Sequence, residues 1–141
     1  MSSFKAFDIA GSGMAAQSVR LNSTASNLAN AESVSTTAAG VYKPRHPIFE
    51  AVRASLTGGS QAGGDAAVRV RGIYESTAPA SQRYEPGNPM ADANGYVFAP
   101  AVNAVEEMVN MISASRSYQN NVEVMNTSKD LLLATLRLGQ G

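Results

Sequence analysis

The chain has 141 residues, with 11 basic and 11 acidic side chains and a formal net charge of zero. This length suits one ordinary domain, and the balanced charge argues against nucleic acid as the main partner, because such binders neutralise phosphates with an excess of Lys and Arg. The chain contains no cysteine, which excludes disulfides, thiol catalysis and thiolate metal sites.

The N-terminal residues carry the pattern of one long helix. Phe7, Met14, Leu21 and Leu28 recur at intervals of seven, which places them on one stripe of a helical surface. The spacing predicts a helix over residues 4–31, about 42 Å long if it is continuous.

Gly11 and Gly13 lie inside this predicted helix. A glycine in a helix interior costs about 1 kcal/mol relative to alanine, so we expect the helix to fray until another element packs against it. No Lys follows these glycines and no strand pattern precedes them, so a phosphate-binding loop is not supported here.

Membrane insertion is not expected. The chain begins without a basic stretch followed by an apolar run, and no part of it approaches the ~20 consecutive apolar residues that span a bilayer. A cytosolic location is the simplest expectation, and export by a route that cleaves no signal stays open.

The middle of the chain, residues 33–100, contains all six prolines and eight of the twelve glycines. It therefore cannot form a long helix. Short strands are predicted at residues 41–43, 48–52 and 68–74. Strands this few and short indicate a small, irregular β-rich segment that is marginally stable by itself.

Turns and loops separate these strands. Residues 58–65 are rich in Gly, which predicts a flexible loop. Residues 84–89 form a turn cluster with two prolines. Asn94-Gly95 predicts a hairpin-type turn before a strand at residues 96–98.

Residues 101–138 contain neither Pro nor Gly, with Pro100 before them and Gly139 after them. These flanking residues are start and stop signals for a helix, which would be about 57 Å long. Its apolar residues alternate in steps of three and four, the spacing of a coiled coil. One seam holds Met108, Met111, Ser115, Tyr118, Val122, Met125, Lys129, Leu132 and Leu136, and a neighbouring seam holds Val102, Val105, Val109 and Ile112.

The polar side of this helix carries few charges, only seven among 38 residues. Uncharged Asn, Gln, Ser and Thr occupy the other polar positions, and these side chains cost less to bury than charged ones do. We therefore expect a helix that is surrounded by other helices from more than one chain. The alternative is an antiparallel hairpin within one monomer that has a mildly polar surface.

Catalytic and metal sites are not indicated, so no catalytic residue, cofactor or metal ligand is assigned. His46 is the only histidine, and no Ser or carboxylate is spaced to act with it. Glu106 and Glu107 are adjacent, so on a helix they point about 100° apart and cannot converge as an acid pair. They would instead favour the N-terminal turns of the helix through its dipole.

Three stretches together resemble a known family. They are Asn27-Leu28-Ala29-Asn30, the turn region from Tyr84 to Val97, and the helical segment from Val105 to Thr127. In this order and over nearly the whole chain, they resemble the bacterial flagellar basal-body rod proteins. Two departures are Asn88, which stands where relatives often have His, and residues 58–65, which look like a local insertion.

The resemblance implies a structural subunit of the hollow drive shaft that crosses the periplasm and transmits torque for motility. Its partners would be other rod subunits and copies of itself, after passage through the flagellar type III export apparatus. It also implies a mainly α fold, in which residues 1–32 and 101–141 form coiled-coil rod helices and residues 33–100 form a β-rich middle that faces outward.

The resemblance further implies an assembly interface on the two helices. Carried over position by position, its residues in the first helix would be Met14, Leu21, Asn27, Leu28 and Asn30. In the last helix they would be Val105, Met108, Val109, Ile112, Arg116, Tyr118, Gln119, Asn121, Val122, Met125, Leu132 and Leu136.

Two other classes of function compete with this hypothesis. A cytosolic helical hairpin would serve as an adaptor or export chaperone and would form a stable complex with one partner. An enzyme has only His46 and scattered carboxylates in its favour, so we do not expect one.

Overall fold

The computed structural model describes residues 3–53 and 66–139, so the loop predicted at residues 58–65 lies outside the described residues. The elements in chain order are α1 (Ser3–Ala29), a 3-10 helix (Ala38–Gly40), β1 (Arg45–Arg53), β2 (Ala66–Glu75), β3 (Ser81–Tyr84), β4 (Tyr96–Ala99) and α2 (Ala104–Leu138). The prediction of two long terminal helices around a small β-rich middle is confirmed.

The two long helices pack side by side and run in opposite directions. Asn27, near the end of α1, bonds to Glu107 in the first turns of α2, whereas Gly13 lies beside Asn121, farther along α2. α2 has 35 residues and α1 has 27, which makes α2 longer by about 12 Å. The C-terminal end of α2 therefore extends past the first residue of α1.

Small and polar side chains make most of the contact between the helices. On α1 the most buried residues are Ala10, Ala16, Ser23, Thr24 and Asn27, none of them more than 8% exposed. On α2 the buried and half-buried residues include a line spaced by three and four, namely Glu107, Met111, Ala114, Asn121, Met125, Ser128 and Leu132, with Tyr118 at its edge. Short side chains allow the two helix axes to approach closely.

The two glycines of α1 differ in their surroundings. A Cβ added at Gly13 would lie 2.9 Å from Nδ2 and 3.1 Å from Cγ of Asn121, which is closer than carbon atoms pack. A Cβ added at Gly11 would meet Met125 Cε at 4.0 Å, an ordinary contact. Close packing against Asn121 therefore favours glycine at position 13, a reason that helix propensity does not reveal.

α2 begins at Ala104, so the predicted start at residue 101, just after Pro100, was wrong. The Asn103 side chain accepts hydrogen bonds from the backbone N–H groups of Val105 (3.1 Å) and Glu106 (3.3 Å). This N-cap satisfies two donors that have no partner within the helix and so fixes where the helix starts.

β1 and β2 pair in antiparallel fashion from Arg45 opposite Glu75 to Arg53 opposite Ala66, and we call this pair the ribbon. It contains the strands predicted at residues 48–52 and 68–74, and a register shift between Ile48 and Phe49 introduces a bulge. The strand predicted at residues 41–43 was wrong. Within residues 3–53 and 66–139 they pair with no strand, and the Tyr42 hydroxyl instead donates to Asn27 Oδ1.

The ribbon lies along α1, and among the described residues hydrogen bonds join the two at two places. Near the start of β1, Asn27 bonds to the backbone of Arg45. Farther along, the backbone N–H of Val68 in β2 donates to Ser12 Oγ at 3.1 Å. The ribbon therefore follows the helix for about 15 residues, roughly 22 Å.

β3 and β4 form a second two-stranded sheet, which buries Val97 completely. The turn predicted at Asn94-Gly95 is confirmed: the Gly95 N–H donates to the Asp92 carbonyl at 3.0 Å. Gly95 has a φ of 82°, a conformation that favours glycine because it has no Cβ.

We expect Gly11→Ala to raise the free energy of unfolding by about 0.5–1 kcal/mol, because alanine is the better helix former and its Cβ has room. Gly13→Ala gains the same propensity but must displace Asn121, at a cost of about 1–3 kcal/mol. Urea unfolding followed by circular dichroism should therefore show Gly13→Ala as the less stable variant. Equal stabilisation by both substitutions would contradict the close approach at Gly13.

Candidate functional site

Asn27 is fully buried where α1, α2 and the start of β1 meet. Its Nδ2 donates to the Arg45 carbonyl (3.0 Å) and to Glu107 Oε2 (3.2 Å). Its Oδ1 accepts from the Arg45 N–H (2.8 Å) and the Tyr42 hydroxyl (2.9 Å). A carboxamide has two N–H donors and two acceptor lone pairs, so all of them are used. We call these four residues the Asn27 node.

Glu107 contributes a carboxylate side chain to this node and is only 5% exposed. A buried carboxylate is costly unless hydrogen bonds and nearby positive charge compensate it. Here Asn27 donates to it, and its place in the first turns of α2 gives it the favourable end of the helix dipole. The dipole role was predicted, whereas the burial and the contact with Asn27 had no signal in the sequence.

The distribution of apolar residues is inverted relative to that of a typical globular protein. Among the described residues, the buried apolar side chains are five alanines, two prolines and one valine. Nineteen large apolar side chains in the same part of the chain are exposed. Isolated exposed apolar residues are normal, but contiguous ones mark interaction surfaces.

The most regular of these exposed groups lies on the first half of α2. Val105, Met108, Val109 and Ile112 are 66%, 46%, 61% and 56% exposed, and their spacing places them on one side of the helix. That side is turned away from Ala114, which is 0% exposed beneath α1. We call these four residues the α2 stripe.

A second group lies where α2 extends past α1. Leu131, Leu133, Leu136 and Leu138 are 59%, 44%, 61% and 83% exposed. We call them the C-terminal leucines. Together with the α2 stripe, they place apolar surface at both ends of one helix.

The interface residues predicted from the resemblance fall into three groups. Those that are exposed are Val105, Met108, Val109, Ile112, Arg116, Tyr118, Gln119 and Leu136. Those that are half-buried are Met14, Leu21, Leu28, Asn30, Asn121, Val122, Met125 and Leu132. Asn27 is buried inside the chain, where its side chain bonds to Tyr42, Arg45 and Glu107.

The turn between β3 and β4 holds a charged cluster. Arg83 lies between Glu32 and Glu85 and pairs with both. Asn88 Nδ2 donates to Glu85 Oε2 at 2.8 Å, and Asn88 Oδ1 accepts from the Met90 N–H at 3.0 Å. The hydrogen bond from Asn88, with help from the charge of Arg83, holds the pKa of Glu85 below its usual range.

Within residues 3–53 and 66–139, no three His, Cys, Asp or Glu side chains are grouped as a metal site would require. In the same ranges, no helix combines the length and apolar character needed to cross a bilayer. His46 lies near Tyr74, with 5.9 Å between ring centroids.

Two family models match the chain. One, described as "Flagella basal body rod protein", matches residues 7–35, and the other, described as "Flagellar basal body rod FlgEFG protein C-terminal", matches residues 93–138. These matches cover most of α1 and α2 and the turn before β4.

Curated proteins match over nearly the full length. The flagellar basal-body rod protein FlgC of Salmonella typhimurium is 54% identical over 136 residues, which cover 95% of this chain and 96% of the relative. FlgC of Yersinia enterocolitica is 51% identical over 140 residues, 99% of this chain and 100% of the relative. FlgC of Buchnera aphidicola subsp. Schizaphis graminum is 43% identical over 145 aligned positions, with the same coverage.

We expect Asn27→Asp to lower the free energy of unfolding by about 3–5 kcal/mol, because a second carboxylate would face Glu107 and two N–H donors would be lost. Asn30→Asp is the control, since the Asn30 side chain makes one hydrogen bond, to the Ser26 carbonyl. Its loss should cost about 1 kcal/mol. Urea unfolding of both variants measures the difference, and similar costs would argue against the node.

We expect Asn88→Ala to raise the pKa of Glu85 toward its ordinary value, which a carbon-detected NMR titration of the carboxyl group measures. A lowered pKa in the folded state stabilises the fold at pH values above the ordinary pKa, and this is lost as the pH falls through the lowered pKa. In Asn88→Ala, the stabilisation that ionised Glu85 gives should be smaller and should be lost at a higher pH than in the unaltered chain. Asn94→Ala, in the same turn, is the control that should leave the titration unchanged.

Proposed function

The chain belongs to the FlgC family of flagellar basal-body rod proteins, and from this premise we propose that it builds the rod by packing the exposed apolar faces of its helices against neighbouring subunits. It is a structural subunit of the proximal rod and is located in the flagellar basal body. The resemblance to rod proteins that the sequence predicted is confirmed.

The α2 stripe is the single observation that carries this assembly mechanism. Its four apolar side chains project from a regular helix, on the side that α1 leaves uncovered. The interface that we propose includes the exposed members of the predicted set and the C-terminal leucines. Its half-buried members, such as Val122 and Met125, would contribute by holding α1 and α2 together while presenting one edge to a neighbour.

The magnitudes favour contact with several neighbours over contact with one. Full burial of a Val, Ile or Met side chain contributes about 1.5–3 kcal/mol, and the stripe residues are already about half covered, so the four supply about 3–6 kcal/mol. Association costs about 4–15 kcal/mol in lost freedom. One stripe is therefore close to balance, and stable assembly requires the C-terminal leucines and further faces to be buried as well.

The partners follow from the family and from this surface. Assembly with other rod subunits and with copies of itself is implied by membership of a rod family. We propose that in the rod, residues 1–32 and 101–141 form coiled coils with neighbouring chains and residues 33–100 face outward. The α2 stripe supports this, because its exposed residues recur at the three- and four-residue spacing of coiled coils.

Delivery by the flagellar type III export apparatus completes the proposal. Small buried side chains support it, since a helix pair held by Ala and Gly contacts has little apolar burial to lose on unfolding. We also propose that the chain has no catalytic activity, in keeping with structural relatives. The adaptor or chaperone alternative is not favoured, because the relatives are rod proteins over their full length.

We expect Ile112→Asp to abolish swimming in soft agar and to remove the subunit from purified basal bodies, because a charge would be buried in the subunit contact. Ile112 is 56% exposed, so the isolated variant should keep its helical circular dichroism. Ile112→Val, which keeps the apolar surface, is the matched control and should swim. Normal motility of Ile112→Asp would rule out the α2 stripe as an assembly surface.

A further inference from the structure

We infer that Asn27 couples two packing events within the chain: the pairing of α2 with α1 and the alignment of the ribbon along α1. Its side chain bonds to Glu107 of α2 on one side and to Tyr42 and Arg45, at the entrance to β1, on the other. The carboxamide is fully satisfied only when both neighbours are in place.

The contact with Arg45 resembles the pairing of two strands. One side-chain amide bonds to both the N–H (2.8 Å) and the carbonyl (3.0 Å) of the same residue, as a neighbouring strand does in an antiparallel pair. Because Arg45 is the first residue of β1 and pairs with Glu75, this contact sets where the ribbon begins relative to α1. A shift of one residue would break both bonds.

The contact with Glu107 makes this alignment depend on α2. Asn27 is 0% exposed, so no water replaces a missing partner without opening the structure. If Glu107 is absent, one buried N–H of Asn27 loses its acceptor, which favours conformations in which Asn27 moves and releases Arg45. Removal of the Tyr42 hydroxyl should act in the opposite direction and loosen the start of α2, because such coupling is reciprocal.

The first test is amide hydrogen exchange of the full-length chain, read at the Arg45 N–H, whose acceptor is Asn27 Oδ1. Glu107→Ala should speed exchange at Arg45 by about tenfold, the effect of one buried hydrogen bond. Glu106→Ala is the matched control: it removes the same charge from the same turn but lies on the exposed side. It should change the rate by less than about threefold.

A second variant separates the hydrogen bond from the charge. Glu107→Gln keeps an oxygen that can accept from Asn27, so exchange at Arg45 should stay within about threefold of the unaltered chain. The Gly95 N–H, which bonds within the β3–β4 turn, is the internal reference for general loosening. Equal acceleration in Glu107→Gln and Glu107→Ala would overturn the inference.

Tyr42→Phe provides a test that does not alter α2. It should speed exchange of the Glu107 N–H, which bonds to the Asn103 carbonyl at 3.0 Å, by about threefold, although Tyr42 makes no bond to Glu107 itself. Unchanged exchange at Glu107 would overturn the coupling, as would an Arg45 N–H that exchanges freely in the unaltered chain. These readings come from one chain in solution, so they are independent of rod assembly.

Discussion

The close approach of α1 and α2 is the constraint on which the rest of the structure depends. The side chains fully buried between the helices are short, with Ala10, Ala16 and Ala114 each no more than 2% exposed. Alanine provides little apolar area, so this contact alone contributes modest stability. Its consequence is geometric: the large apolar residues of the α2 stripe lie on the opposite side of α2, which α1 leaves uncovered.

The Asn27 node adds to this weak apolar contact a specific alignment of α1 with α2. A seam of small residues tolerates sliding, because similar contacts form at several registers. The buried carboxamide of Asn27 does not tolerate sliding. It bonds to Glu107, Arg45 and Tyr42 at once, so any shift leaves polar groups unsatisfied. The node therefore selects one register for both the helix pair and the ribbon, a use of buried polar groups that is well attested in coiled coils.

Sequence patterns predicted the long helices, the β-rich middle, the turn at Asn94-Gly95 and the family, because each leaves a local signal in periodicity or turn chemistry. They did not predict the strand pairing of Arg45 with Glu75 or the contact of Asn27 with Glu107, which join residues far apart in the chain. The strand prediction for residues 41–43 failed for the same reason: their composition favours a strand, but the described part of the chain provides no partner strand. Gly13 was interpreted through helix propensity alone, because its contact with Asn121, which is far away in the chain, leaves no signal in the local sequence.

Under the proposed assembly mechanism, the two apolar groups on α2 would also keep the subunit separate before assembly. Each group offers only a few half-exposed side chains, so a single pairwise contact does not by itself exceed the cost of association. In a lattice, one subunit contacts several neighbours, and after the first contact the others form without a second full loss of translational freedom. Under the proposed assembly mechanism, the same surface is therefore weak between two free chains and strong within a completed rod.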